Sequence, residues 1–254
     1  AALAEVRAQG LVLQGLHMHI GSGVDYSHLQ DVCGAMVDLV RRVQAAGMDL
    51  HAISAGGGLS IPYRAGEPVI DTDHYFSLWD GARQTITSLL GHPVTLELEP
   101  GRYLVAESGV LVAEVRAVKS QGSQRFVLVD AGFTELARPA MYGAHHSMEF
   151  IRADGTALQG ATQPTVVAGP LCESGDVFTQ GEGGVMLQRD LPAAQVGDLL
   201  VIHDTGAYGA SMSSNYNSRG LIAEVLVEGG ANSGTARLIR RRQMVQERMA
   251  LEVV

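Results

Sequence analysis

The 254-residue chain is 46% hydrophobic, 18% charged and 5% aromatic, with a formal net charge of −9. That is enough apolar side chain for a buried core and too much for disorder, and the acidic balance argues against a nucleic-acid surface. No stretch approaches the ~18 consecutive apolar residues of a membrane span, and two distant cysteines, Cys33 and Cys172, exclude a disulfide framework and fit a reducing cytoplasm.

The chain opens AALAEVRAQG, which reads as the end of a helix with Leu3 and Val6 apolar and Gly10 as its stop. We therefore expect the sequence to begin inside a longer protein. VLQGLHMHI (12–20) is a strand candidate running into a Gly-rich turn. Asp25 can cap a helix to about Ala46, with Leu29, Val32, Met36, Leu39, Val40 and Val43 on its apolar face. LHAISAGGG (50–58) is a short strand ending in glycines. Asp71 or Thr72 starts a second helix, to about Leu90, carrying Tyr75, Leu78, Trp79, Ala82, Ile86 and Leu89. VTLELEPG (94–101) is a third strand with a loop beginning at Pro100. Strand–helix–strand–helix–strand predicts parallel strands with crossover helices, and ligands bind at the strands' C-terminal ends.

After about residue 108 the pattern changes. GVLVAEVRAV, RFVLVDAG, TVVAGPL, DLLVIHD, IAEVLVE and TARLIRRR are strand-like, and a short helix is expected near Met244–Leu251. The expected organisation is residues 1–107 as part of an α/β barrel and residues 108–254 as an all-β domain, a barrel or sandwich. QGEGG (180–184) reads as a hairpin tip.

Several segments can carry chemistry. Alternation along a strand puts His17 and His19 on one side, which suits a metal pair, a core pair, or one histidine facing a planar cofactor. The glycines 56–58 let backbone N–H groups approach an anion. Glu97 and Glu99 face one side of a regular strand. Glu99, at its end, can accept from a heteroaromatic nitrogen, and Gly101 and Arg102 suit a phosphate or carboxylate. Cys172 beside Glu173, in GPLCESGDV (169–177), is either a buried structural thiol or a reactive one. RPAMYG (138–143) and TGAYGASMSSNYNSR (205–219) offer Arg138, Tyr142 and Tyr208 as ligand clamps. The chain has 17 arginines but a single lysine, Lys119, so any chemistry needing a lysine amine uses that residue or one outside this sequence.

Taken together, HMHIGSG, SAGGGLS, ELEPGRYLVAESG, VDAGFTELARPAMYG, VVAGPLCESGDVF and GDLLVIHDTGAYGASMSSNYNSR resemble, in order, the pyridoxal-phosphate decarboxylases of the alanine-racemase-type fold. The resemblance is greatest to the branch acting on diaminopimelate. It implies the later strands of a TIM-like α/β barrel followed by the β domain. It also implies pyridoxal 5'-phosphate as cofactor. His19 would stack on its ring, and Glu99 would hold the pyridine nitrogen protonated. Ser22, Gly57, Gly58, Pro100, Gly101 and Arg102 would surround the phosphate, with Tyr208 nearby. Cys172 would be the proton donor. Arg102, Arg138, Tyr142, Glu173 and Tyr208 would hold the substrate. The implied reaction is decarboxylation of meso-diaminopimelate to L-lysine, in a cytoplasmic homodimer with shared sites and no metal. Lys119 does not match the family's Schiff-base lysine, which would lie before this segment. His145 and Gly220 stand where an aromatic residue and a proline are expected. The rival expectations are decarboxylation of ornithine or arginine, a non-catalytic binding homologue, and a metal amidohydrolase built on His17 and His19.

Overall fold

The computed structural model describes residues 1–21, 28–229 and 234–253. Ser22 and the proposed cap Asp25 lie outside them. The chain divides into two compact units, Ala1–Leu104 and Val105–Val254. Among the described residues no helix is long and apolar enough to cross a membrane.

In the first unit, helix α1 (Ala2–Ala8) ends where Gly10 adopts φ +65° and the Leu11 N–H returns to the Val6 carbonyl at 2.9 Å. That left-handed turn costs glycine little. Strands β1 (Gly15–His17), β2 (Ala52–Ser54) and β3 (Thr95–Glu97) form a parallel sheet in the order β1-β2-β3. Their register aligns Leu16, Ile53 and Leu96, and then His17, Ser54 and Glu97. Three polar residues therefore share one level at the C-terminal edge.

The crossover helices are α2 (Leu29–Ala45) and α3 (Thr72–Leu90). The Asp71 carboxylate accepts the His74 N–H at 2.9 Å, and Gly91 closes α3 in the left-handed region. Met36, Val40 and Val43 of α2 meet Tyr75, Trp79 and Ile86 of α3 and Ile53 of β2 in one core. The apolar stripe of α2 is rotated from the expected one. Leu39 is exposed, Val32 is only half-buried, and Cys33 and Val37 are buried instead. Burial also pushes the Cys33 thiol up to about 11.

The three strands are shorter than their apolar runs. Strands β2 and β3 leave the ladder beside their glycine and proline loops, where the Glu99 N–H donates to the Gly56 carbonyl at 2.9 Å. Short helix α4 (Gly101–Val105) follows the third loop.

The second unit holds a six-stranded mixed sheet. Its strands are β4 (Leu111–Gln121), β5 (Gln124–Val129), β6 (Met148–Ile151), β7 (Thr162–Ala168), β8 (Arg189–Pro192) and β9 (Leu199–Ile202). Helix α5 (Arg138–Tyr142) lies between β5 and β6. The order is β6-β9-β4-β5-β7-β8, antiparallel except for β5 and β7. The edge strands β6 and β8 approach each other, so the sheet is nearly closed. Its core is built by Val115, Val127, Val129, Phe150, Val167, Leu200 and Ile202.

A separate antiparallel hairpin, β10 (Glu224–Glu228) and β11 (Thr235–Arg240), and helix α6 (Val245–Arg248) end the chain. The expected tip at 180–184 is a turn closed by an antiparallel bridge between Gln180 and Met186. Two strands escaped the sequence reading, β6 and β8. Both are four-residue edge strands, and β8 ends in Pro192, so neither carries the long apolar run of a central strand.

Candidate active site

The first unit gathers its polar residues where the three parallel strands end. Gly56 N–H donates to Ser54 Oγ at 3.2 Å, and the Ser54 hydroxyl lies 3.2 Å from Glu99 Oε1. His17 Nε2 lies 3.3 Å from the same carboxylate oxygen. The Glu99 N–H donates to the Gly56 carbonyl at 2.9 Å, which pins the loop after β3 to the loop after β2.

His19 belongs to the same cluster. The Gly57 N–H donates to its Nδ1 at 3.2 Å, so that nitrogen is an acceptor and carries no proton. Alternation does not explain the placement, since β1 ends at His17 and β3 at Glu97. His19 and Glu99 both lie beyond the ladder, in loops that follow it.

The glycines make this close approach possible. A Cβ at Gly57 would stand 2.6 Å from the Glu99 carbonyl oxygen and 3.6 Å from His19 Cε1. A Cβ at Gly58, where φ is +103°, would collide with the Gly21 carbonyl oxygen. Below these loops a small hollow is lined by Ile20, Gly21, Ala55, Gly57, Gly58 and Trp79. Arg102, on α4, lies with its guanidinium 5.8 Å from the centre of the Tyr63 ring. Pro100 and Gly101 join it directly to Glu99 in the chain. Among the described residues no group of three or more His, Cys, Asp or Glu side chains is arranged to hold a metal.

In the second unit, the exposed Cys172 and Glu173 sit in the loop after β7. Asp176 organises that loop. It is 4% exposed, and its carboxylate accepts the Leu171 N–H and the Phe133 N–H, each at 2.8 Å. Burial raises its pKa against the pull of those two bonds. The turn is tight because Gly169 and Gly132 both lie against the Asp176 carboxylate, where a Cβ would clash.

Glu173 accepts the Gly175 N–H at 3.3 Å and the Ser174 hydroxyl at 3.2 Å, which lowers its pKa, and the Tyr216 hydroxyl approaches it at 3.4 Å. The Tyr216 ring stands 5.1 Å from that of Phe133.

The segment 131–138 therefore joins several loops. Phe133 meets Asp176 and Tyr216. The Thr134 carbonyl accepts the Ser214 N–H at 3.0 Å. Arg138, at the start of α5, is 6% exposed and donates from Nη1 to His146 Nε2 at 2.7 Å. Tyr142, at the other end of α5, is 60% exposed. Tyr208 is held at φ +60°, in a loop where a Cβ on Gly206 would collide with the Val105 carbonyl. Lys119 lies on β4 with its ammonium 5.4 Å from the Phe126 ring centre.

His19, Gly57, Gly58 and Glu99 are thus brought together in the first unit. Cys172, Glu173, Arg138, Tyr142 and Tyr208 belong to the second. Sequence reasoning missed Ser54, Asp176, Tyr216 and His146. Ser54, Asp176 and Tyr216 lie inside the motifs SAGGGLS, GPLCESGDV and TGAYGASMSSNYNSR, and only His146 lies outside them. A polar residue in a strand that otherwise reads as core, or next to an apolar run, was the available signal.

The sequence profile described as pyridoxal-dependent decarboxylase, C-terminal sheet domain, matches residues 26–206. The chain is 62% identical over its full length to the diaminopimelate decarboxylase of Escherichia coli K12, of which it covers 59%. It is also 62% identical over 99% of its length to that of Streptomyces coelicolor, of which it covers 56%. A crystal structure of diaminopimelate decarboxylase matches with a TM-score of 0.91 and 61% identity, over 98% of this chain and 58% of that one. The M. jannaschii diaminopimelate decarboxylase in complex with L-lysine matches with a TM-score of 0.84 and 31% identity, over 100% of this chain and 56% of that one. The chain spans less than two thirds of the length of these relatives.

Proposed function

This chain belongs to the pyridoxal-dependent decarboxylases, and from that premise we propose that it forms part of an enzyme converting meso-diaminopimelate to L-lysine and CO₂. The first unit would be the last part of an α/β barrel, and the second the β domain. The observation that carries the reading is the Glu99 carboxylate, held by Ser54 and His17 beside His19 and the Gly57–Gly58 turn.

The residues fit pyridoxal phosphate. The glycine loops leave no room for a Cβ and present backbone to the strand ends, as a phosphate requires. Gly57, Gly58, Gly101 and Arg102 would bind the phosphate, with Ser22, Pro100 and Tyr208. His19, its Nδ1 tied to the Gly57 N–H, would pack on the ring as a fixed flat surface. Glu99 would accept a hydrogen bond from the pyridine N–H and keep the proton there, because a carboxylate favours a cationic neighbour. When bound, pyridoxal phosphate supplies the electron sink that makes loss of CO₂ feasible.

Cys172 would deliver a proton to the substrate carbon after CO₂ leaves, as a general acid. Arg138 would hold the distal carboxylate, Glu173 and Tyr142 the distal ammonium end, and Arg102 and Tyr208 would complete the contacts. A substrate with a carboxylate and an ammonium group at its distal end needs both signs of charge there, whereas ornithine and arginine carry only a cation at that end. Lys119, on a β-domain strand, does not serve as the amine that carries the cofactor. That lysine would come from the part of the relatives this chain does not span. We further propose a cytoplasmic homodimer, with the Cys172–Glu173 loop completing the partner's site.

Borohydride reduction of the natively purified full-length protein, followed by peptide mapping, tests this reading. The expected result is pyridoxyl label on a lysine outside this sequence. Label on Lys119, or folded protein with no label, would overturn it.

A further inference from the structure

The partner of Arg138 is unusual in its chemistry. His146 is 1% exposed, and its two ring nitrogens both have partners. Nε2 lies 2.7 Å from Arg138 Nη1, and Nδ1 lies 2.9 Å from the His203 carbonyl oxygen. A carbonyl oxygen only accepts, and a guanidinium only donates. Both bonds exist together in one form of the ring: neutral, protonated at Nδ1, with Nε2 as acceptor.

The surroundings preserve that form. Burial, together with Arg138, His145 and Arg189, holds the imidazole down to about 4, against the His203 carbonyl, which favours the proton. The ring's own backbone is held as well. Arg189 Nη1 donates to the His146 carbonyl at 3.0 Å, and the His203 N–H donates to the Ser147 carbonyl at 2.8 Å beside the β6–β9 ladder. His146 is therefore a fixed acceptor in the loop that enters β6, and Arg138 is a long side chain tied to it by a short charge-assisted bond. A carboxylate in that place would orient the guanidinium but cancel its charge. A neutral acceptor orients it without itself cancelling that charge.

We propose that His146 is a positioning residue for substrate recognition, aiming Arg138 at the distal carboxylate of the substrate. The proposal rests on the reading that Arg138 holds that carboxylate. The imidazole moves no proton in the reaction and acts only through Arg138.

The test uses the full-length, cofactor-loaded protein. His146→Asn keeps an amide donor near the His203 carbonyl but is too short to meet Arg138. His146→Gln places a carbonyl oxygen near the position of Nε2. His146→Asn should raise KM for meso-diaminopimelate about tenfold with a smaller change in kcat, and His146→Gln should recover most of that loss. In an Arg138→Ala background, His146→Asn should add nothing further to KM. An equal KM increase in the Asn and Gln variants, or one that persists without Arg138, would mean that His146 serves only the fold and would overturn the proposal. So would the loss of folded, cofactor-binding protein in both variants. An unchanged KM in His146→Asn, with a raised KM in Arg138→Ala, overturns the positioning role alone. An unchanged KM in Arg138→Ala overturns the substrate reading as well.

Discussion

The Ser54 hydroxyl lies 3.2 Å from Glu99 Oε1 although the two residues are 45 apart in the chain. The same hydroxyl accepts the Gly56 N–H, so its proton is left to point at the carboxylate. One buried oxygen thereby couples the glycine loop after β2 to the acid after β3. Ser54→Ala removes both hydrogen bonds, the one from the Gly56 N–H and the one to the Glu99 carboxylate, together worth about 2 kcal/mol. Equilibrium dialysis should show pyridoxal phosphate binding weakened by a few-fold. Glu99→Gln should leave binding nearer to normal but lower kcat by roughly 100-fold, because an amide does not hold the ring proton in place. Equal kcat in Glu99→Gln and the parent would contradict the role given to Glu99.

Cys172→Ser keeps the shape of the exposed loop and replaces the thiol by a far weaker acid. Steady-state kinetics should show kcat reduced by about 100-fold or more, with KM changed little. A variant that retains full kcat would remove Cys172 from proton delivery.

Asp176→Ala strands the Phe133 and Leu171 N–H groups in a buried place. The expected loss is about 3 kcal/mol of stability, seen as a lower Tm in calorimetry. Loosening of the Cys172–Glu173 loop should lower kcat/KM in the same variant. An unchanged Tm would mean that water satisfies both groups.

His146 makes stability depend on pH in a definite direction. Its folded value of about 4 lies below the ordinary histidine value of 6.5. Between those values the unfolded chain takes up a proton that the folded protein refuses. Stability therefore falls as pH drops from about 6.5 toward 4, by up to about 3 kcal/mol from this group. Urea denaturation across that window should show a shallower dependence in His146→Gln than in the parent. Parallel curves would contradict the assignment.

The alternation of strand and helix in the first unit and the run of strands in the second were legible because the central strands and crossover helices carry long apolar patterns. The edges were not. β6 and β8 have a partner on only one side, and four residues each leave too little pattern to read. The stripe of α2 was misjudged by one position of the helical wheel, admitting Leu39 and overlooking Cys33 and Val37. In the candidate site, residues with a glycine signature or a charge in a loop were visible. Ser54, Asp176 and His146 were hidden because most of their partners are backbone atoms, and because those partners lie up to 57 residues away in the chain. Spacing along the sequence says nothing of such bonds.

Turnover of meso-diaminopimelate by the full-length holoprotein, beside ornithine and arginine under the same conditions, tests the central claim most directly. The account predicts L-lysine and CO₂ from meso-diaminopimelate, with kcat/KM at least ~100-fold above either monocarboxylate, since those leave Arg138 without its carboxylate. Preferential release of CO₂ from ornithine or arginine, or none from any of the three by cofactor-loaded protein, would contradict it.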